Sequence, residues 1–181
     1  MKRTALLWGL NPVIALVFST GCFSAAPGTD EGDPGAKDAG AARCLTPEDA
    51  SRLEDQVFQL VNLERAEAGL PPVVIDPALQ KIAAGYACRM IEEGFFGHRE
   101  PASGYGPGER AMIGKYSFFA VGENLAAGQE TTADVMRVWM ESPSHKAIIL
   151  GERWSELGMA VRLGGQYSIY WVQIFGDPTD Y

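Results

Sequence analysis

Two apolar runs near the C-terminus of this 181-residue chain set the strongest limit on its fold. Residues 157–163 and 167–175 are rich in β-branched and aromatic side chains, and Gly164 and Gly165 lie between them. Two such runs joined by a glycine turn are typical of a β-hairpin. The chain is therefore predicted to end in a pair of antiparallel strands.

Helical patterns precede the hairpin. Thr46, Pro47 and Asp49 indicate the start of a first helix that Gly69 ends. Further helices are predicted from Asp76-Pro77 to Gly94, from Thr131 to Met140, and from Ser142-Pro143 through Leu150. The Gly- and Pro-rich residues 95–116 predict an extended loop. Helices early and strands late predict an α+β domain, over residues 44–178, with helices packed on an antiparallel sheet.

Residues 1–22 have the pattern of a signal peptide. Lys2 and Arg3 are followed by an apolar stretch, residues 5–18, and then by small residues before Cys22. A membrane-spanning helix is the alternative, because no charge occurs between residues 4 and 29. Asn11 and Pro12 interrupt the run, however, and no positive charge flanks its far end, which favours the signal peptide.

The ending Ser-Thr-Gly-Cys resembles a bacterial lipobox, in which Cys22 becomes the lipidated first residue. Ser19 stands where that motif has Leu, so plain secretion with cleavage near Ala25 or Ala26 is the alternative. Residues 23–43 are rich in Ala, Gly, Pro and Asp, which predicts a disordered linker. We therefore expect an exported protein, either anchored in a membrane by its N-terminal lipid or secreted.

The charge of the chain excludes some partners. The formal net charge is -8, and without Lys2 and Arg3 there are 13 basic residues against 23 acidic ones. Nucleic-acid binding requires a basic surface, so no nucleic-acid partner is expected. Attraction to anionic lipid head groups is disfavoured for the same reason, which leaves the N-terminal lipid as the membrane contact.

Three cysteines occur, and lipidation of Cys22 would leave an even number. Cys44 and Cys88 would then lie in an oxidising compartment, where they could form a disulfide. The alternative is two unrelated thiols, with Cys88 buried in a helix as a small apolar residue.

The two histidines lie in loops or at element ends, in company with two unusually placed glutamates. His98 follows Gly97, and His145 occupies the third position after Ser142-Pro143. Glu123 lies between Gly122 and Asn124, and Glu156 begins a predicted strand. Imidazole and carboxylate are ligands that Zn²⁺ accepts, although each residue taken alone is more often structural.

Four sequence motifs contain these residues, and they occur in a specific order along the chain. They are Phe96-Gly97-His98, Gly122-Glu123-Asn124-Leu125-Ala126-Ala127-Gly128, Trp139-Met140-Glu141-Ser142-Pro143-Ser144-His145-Lys146 and Glu156-Leu157-Gly158-Met159-Ala160. As a set they resemble the CAP superfamily of cysteine-rich secretory, antigen 5 and pathogenesis-related 1 proteins. The same family pattern includes Val61-Asn62-Leu63-Glu64-Arg65, Arg110 with Gly114-Lys115-Tyr116, and Tyr170-Trp171-Val172-Gln173-Ile174-Phe175. The resemblance covers about residues 50–176.

This resemblance implies an α-β-α sandwich around an antiparallel sheet and a cleft where His98, Glu123, His145 and Glu156 converge. It also implies that the histidines hold a divalent metal, most often zinc, with the glutamates beside it. No organic cofactor is expected. The sequence departs from the family at His145-Lys146-Ala147-Ile148-Ile149, where His-Arg-x-Asn-Ile is common, and at Tyr86 and Arg89, where bacterial members often have His and Asp.

Three functions remain open. The first is a non-enzymatic binding module at the cell envelope, for an apolar ligand, a wall polymer or a surface protein. The second is a metal-assisted hydrolase in which Glu123 or Glu156 acts as general base on a zinc-bound water. The third is a purely structural role, in which the glutamates and histidines hydrogen-bond each other and hold loops together. Ser142 and Ser144 lack a nucleophile motif, and Ser142 is interpreted as a helix cap, which favours the first function.

Overall fold

A computed structural model describes residues 42–179 of the chain. The predictions for residues 1–41, among them the signal peptide and lipidation at Cys22, lie outside the described residues. Among the described residues, no helix is both long enough and apolar enough to cross a membrane. The elements in chain order are α1 (Ala50–Glu67), β1 (Val74–Ile75), α2 (Pro77–Glu92), α3 (Pro107–Ile113), β2 (Phe118–Ala127), α4 (Thr132–Glu141), α5 (Pro143–Ile149), β3 (Glu156–Gly164) and β4 (Ser168–Pro178).

Helices α2, α4 and α5 begin where the sequence predicts them. The Asp76 carboxylate accepts a hydrogen bond from the Leu79 backbone N–H at 2.7 Å and so caps α2. Thr131 caps α4 in the same way, through its hydroxyl and the Asp134 N–H. Ser142 occupies the N-cap position of α5, but its hydroxyl makes no capping hydrogen bond, which corrects its interpretation as a side-chain cap.

Helix α1 begins later than predicted. Thr46 and Pro47 precede the helix, which starts at Ala50. The Pro47 carbonyl accepts the Ala50 N–H at 3.1 Å and forms a turn. Just before it, Leu45 pairs with Leu163 of β3 through two backbone hydrogen bonds of 2.9 and 2.8 Å. This pairing holds the chain extended up to residue 45, so that a turn must intervene before the helix.

The four strands form one sheet in the order β1-β3-β4-β2. The predicted hairpin is confirmed, since β3 and β4 pair antiparallel from Glu156–Gly176 to Gly164–Ser168. Strand β2 adds antiparallel to β4 and forms one edge of the sheet. The sheet is nevertheless mixed rather than wholly antiparallel, because the two-residue strand β1 pairs parallel with β3.

Helices cover both faces of the sheet, which confirms the α-β-α arrangement. On one face α1, α4 and α5 pack on strand residues such as Met159 and Trp171. On the other face α2 and α3 pack on the alternate residues, such as Ala160 and Val172. Gly158 permits the close approach of α2, because a Cβ there would lie 2.1 Å from the Leu79 backbone carbon.

The predicted loop at residues 95–116 contains helix α3. Pro107 occupies the first turn of this helix, and the Glu109 carboxylate accepts the Gly106 N–H at 2.9 Å. Both are helix-start features that the surrounding glycines obscured. The helix matters for function because it carries Arg110 to the sheet.

Cys44 and Cys88 form a disulfide, as the sequence predicted. The bridge links the segment before α1 to the middle of α2. It therefore fixes the N-terminal segment of the described chain against the α2 face of the sheet.

Candidate functional site

The site is built around Glu123 on the edge strand β2. Its carboxylate is almost fully buried, with 1% of the side chain exposed. Oε1 lies 2.9 Å from Nδ1 of His98, and Oε2 accepts a hydrogen bond from Nη2 of Arg110 at 2.5 Å. Both oxygens are therefore engaged by side chains from other elements.

Arg110 of α3 holds several parts of the site together. Its Nη1 donates to the backbone carbonyls of His98 and Tyr105, at 3.1 and 3.0 Å. Its guanidinium carbon lies 3.3 Å from the centre of the Tyr86 ring, a cation–π contact. The Tyr86 hydroxyl in turn donates to the Gly97 carbonyl. Arg110 thus fixes both the glutamate and the loop that carries His98.

His98 is oriented by Glu123 and open to solvent. A carboxylate accepts hydrogen bonds, so a neutral His98 carries its proton on Nδ1 and presents the lone pair of Nε2. The side chain is 53% exposed. A histidine whose one nitrogen bonds a carboxylate and whose other nitrogen is free has the arrangement typical of metal-binding histidines.

His145 lies at the third position of α5. Its backbone carbonyl accepts a hydrogen bond from the Asn124 amide at 3.1 Å, and the same amide lies 3.2 Å from Oε1 of Gln173. Burial, and then the charge of His98, lowers the pKa of His145 below the ordinary value. Its buried Nδ1 has no hydrogen-bond partner among the described residues. The imidazole is therefore held in the neutral form, within electrostatic reach of His98.

Glu123 and Asn124 are adjacent in β2, and each contacts one of the two histidines, on opposite faces of the sheet. Successive side chains of a strand alternate, so that Glu123 faces α3 while Asn124 faces α5. Because β2 is the edge of the sheet, groups on its two faces can approach each other around it. This explains how the charge of His98 can add to the effect of burial on the pKa of His145, although the two histidines lie on opposite sides of the sheet.

Glu156 has a different environment from the other three predicted residues. Its carboxylate accepts a hydrogen bond from the Tyr116 hydroxyl at 2.6 Å. Burial, and then the Glu156 carboxylate, raises the pKa of Tyr116, so the tyrosine remains a donor. Glu156 lies opposite Gly176 on one side of β4, and Glu123 opposite Ile174 on the other side. Strand β4 thus separates the two glutamates.

The four predicted residues do not form one ligand group. Within residues 42–179, no three His, Cys, Asp or Glu side chains are grouped so that they could hold a metal. Both Glu123 oxygens have side-chain partners, and Glu156 accepts a hydrogen bond from Tyr116. The structure brings His98 and Glu123 into contact, and His145 lies within electrostatic reach of His98.

No activated nucleophile is present among the described residues near His145. The hydroxyls of Ser142 and Ser144 lie 3.2 Å apart, and neither is hydrogen-bonded to the imidazole. A serine nucleophile requires a base within hydrogen-bond reach. The arrangement gives no support to serine-type catalysis.

Sequence reasoning did not identify the residues that support the site. Arg110 and Tyr86 were noted only through their place in family motifs, and Tyr116 likewise. A signal was available for Arg110, since the helix-start pattern at Pro107 and Glu109 places it on a short helix. Nothing local indicated that its guanidinium would be buried against Glu123.

Comparison with known proteins identifies relatives of this arrangement. The model of the Cysteine-rich secretory protein family matches residues 58–175. The chain is 33% identical over 129 residues to the protein YkwD of Bacillus subtilis (strain 168), covering 71% of this chain and 49% of that protein. This chain therefore spans about half the length of the curated relative.

Two solved structures are similar. One is an extracellular protein containing a SCP domain from Bacillus anthracis, with a TM-score of 0.63 and 28% identity, covering 70% of this chain and 41% of that one. The other is an outer surface protein from Borrelia burgdorferi, with a TM-score of 0.62 and 28% identity, covering 69% of this chain and 92% of that one. Both scores indicate a fold similar to that of this chain.

Proposed function

This chain belongs to the cysteine-rich secretory protein family, and from that premise we propose that it is a non-enzymatic binding module of the cell envelope. Its cleft at His98 and His145 would hold a divalent metal, zinc above all. Through that metal it would bind a wall polymer that offers oxygen ligands. A protein or an apolar molecule at the cell surface is the competing partner.

The observation that carries the proposal is the burial of Glu123, whose side chain is 1% exposed and has a bonded partner on each carboxylate oxygen. Arg110 engages one carboxylate oxygen and His98 the other. A general base must be free to take a proton from water or substrate. A carboxylate engaged on both oxygens instead orients its partner, which is the role expected in a binding site.

The described residues fit a weakly bound metal. His98 presents a free Nε2, and the buried Nδ1 of His145 has no partner among them. Catalytic zinc usually has three protein ligands, whereas two imidazoles leave most coordination positions to water or a ligand. When bound, the ion would supply a positive centre for an anionic or hydroxyl oxygen of the polymer. The protein's part is to orient His98 through Glu123 and to keep His145 neutral.

One observation favours a metal-assisted hydrolase as the second candidate. Glu156 would act as the general base, because Tyr116 donates only to its Oε2 and no other described residue hydrogen-bonds its Oε1. His145 would not take that role, since its unpartnered nitrogen is the one offered to the metal.

The two functions are separated by sedimentation and turnover. On the binding proposal, the protein co-sediments with purified cell-wall sacculi, a chelator releases it, and zinc restores binding. His98→Ala should not bind, while the exposed-loop control Arg99→Ala should. Release of soluble wall fragments, abolished by Glu156→Gln, would instead establish the hydrolase. Chelator-resistant sedimentation would refute the metal's part in binding.

We also propose that the chain is exported and anchored through Cys22. The signal-like residues 1–22 support this, as do the extracellular and outer-surface descriptions of its structural neighbours. Cys22→Ser should move the protein from the membrane fraction to the soluble fraction. A wild-type protein that is already soluble after export would favour plain secretion.

A further inference from the structure

A cavity of about 570 Å³ lies between α2 and α3, beside the site. Its walls include Ile82 and Gly85 of α2, and Ile113 at the end of α3. The volume is within the range of small-molecule sites, about 300–1,000 Å³. Tyr86 and Arg110, which support the histidine site, also line this cavity.

Gly85 has no packing reason to be glycine. It lies inside α2, where glycine costs about 1 kcal/mol relative to alanine. A Cβ at this position would have no atom within 4 Å. Gly114, on the opposite wall, differs because a Cβ there would lie 2.4 Å from Ile82 Cδ1. Gly114 thus permits helix packing, whereas Gly85 borders open space at the cavity wall.

The cavity has an excess of positive charge in an acidic protein. Lys81 and Arg89 lie one turn before and one turn after Gly85, on the same face of α2. Arg89 donates to Glu100 at 2.6 Å, so these two charges compensate each other. Among residues 42–179, Lys81 and Lys115 line the cavity, and their side-chain ammonium groups make no hydrogen bond or ion pair there. The chain carries a net charge of -8, so two uncompensated lysines at one cavity are unusual.

The cavity also has apolar side chains that are exposed to solvent. Ile113 is 64% exposed, and Tyr105 forms part of the same wall. Large apolar side chains left in water beside a cavity mark surfaces that gain free energy when a ligand covers them. The cavity therefore combines exposed apolar side chains with two lysine ammonium groups.

We propose that the α2/α3 cavity binds a small amphipathic anion, with its apolar body between Ile82 and Ile113 and its acidic head group at Lys81 and Lys115. A carboxylate and a phosphate monoester share this chemistry. The site is separate from the histidine cleft and does not depend on the proposed metal.

Calorimetric titration of the purified protein with three probes tests the proposal. The probes are 1-naphthaleneacetate, 1-naphthyl phosphate and the uncharged 1-naphthalenemethanol. We expect at least one anion to bind about tenfold or more tightly than the alcohol, the effect of one charge-assisted contact. The stronger of the two anions identifies the head group. No binding of either anion, or equal binding of the alcohol, would overturn the proposal.

Two sets of variants locate the binding. Gly85→Leu fills the cavity and should abolish anion binding, whereas Gly85→Ala stabilises the helix and should retain it. The double variant Lys81→Gln/Lys115→Asn should lower anion affinity about tenfold and leave the alcohol unchanged. Asn is used because Lys115 has a positive φ of 62°. Undiminished binding by folded Gly85→Leu would place the anion elsewhere and refute the site. His98→Ala should bind the anions normally, which separates this result from the metal proposal.

Discussion

The buried side chains of Arg110 and Glu123 meet between α3 and β2, with Nη2 donating to Oε2 at 2.5 Å. Their side chains are 6% and 1% exposed, so the pair is almost completely shielded from solvent. Removing one partner of a buried pair leaves an uncompensated charge, whereas exposed pairs contribute little. The contact therefore supports both the fold and the orientation of His98.

Arg110→Met should lower the free energy of unfolding by about 3–5 kcal/mol, because it strands the Glu123 carboxylate. Arg137→Met is the control, since Arg137 pairs with exposed Asp134 and Glu141 and its loss should change the free energy of unfolding far less. Urea unfolding measures both. Adding Glu123→Gln to Arg110→Met should recover part of the loss. If both arginine variants lowered the free energy of unfolding equally, the buried pair would contribute no more stability than an exposed one.

Arg65→Lys should destabilise the protein by about 3 kcal/mol, although it keeps the charge. Arg65 is fully buried and donates to the carbonyls of Pro71, Ile149, Gly151 and Trp154. Lysine has three donors and no planar fork, so it leaves buried carbonyls without partners. Thermal unfolding compares it with the exposed control Arg52→Lys. A loss as small as the control's would contradict this account of the guanidinium.

Replacing both cysteines of the Cys44–Cys88 bridge with serine should cost about 4 kcal/mol in the chain-entropy treatment. The bridge closes a long loop, with a separation of 44 residues, and so restricts the unfolded chain. Denaturant unfolding of oxidised, reduced and double-serine protein provides the measurement. Reduced wild type and the serine variant should match each other. Identical stability of the oxidised and reduced forms would be inconsistent with this role.

His145 should make the metal-free protein less stable in acid. Its pKa is lowered from the ordinary 6.5 by burial and then by the charge of His98, so the unfolded chain takes up a proton at a higher pH than the folded protein. Its stabilising contribution is complete above pH 6.5 and is lost as the pH falls through the folded-state pKa. Unfolding across this range with a chelator present should show a shallower pH dependence for His145→Gln. The same slope in both proteins would argue against the shift.

Much of the fold could be predicted because its features are local. Asp76-Pro77 and Thr131 cap α2 and α4 through neighbouring backbone groups, and Gly164-Gly165 turn the hairpin. Strand β1 could not be predicted, because its two exposed residues are ordered only by pairing with β3. Strand β2 was not predicted because Gly122, Glu123 and Asn124 interrupt its apolar run.

The site could be predicted in part. His98, Glu123 and His145 were identified by the resemblance of their motifs, and the structure places His98 against Glu123. The sequence could not indicate that Arg110 would engage the other Glu123 oxygen, because that contact depends on how α3 packs on β2. The same tertiary contacts place Tyr116 against Glu156 and so move that carboxylate away from the predicted cluster.

The central claim is that His98 and His145 hold one divalent ion in a cleft that Glu123 orients. Calorimetric titration of zinc into the purified protein at neutral pH tests it most directly. We predict one exchangeable ion per chain, lost in His98→Ala and in His145→Ala, weakened in Glu123→Gln, and unchanged in Glu156→Gln. Affinity should fall with acid, because protonated imidazole does not bind metal. No zinc binding by wild type, or binding that survives both histidine variants, would contradict the account.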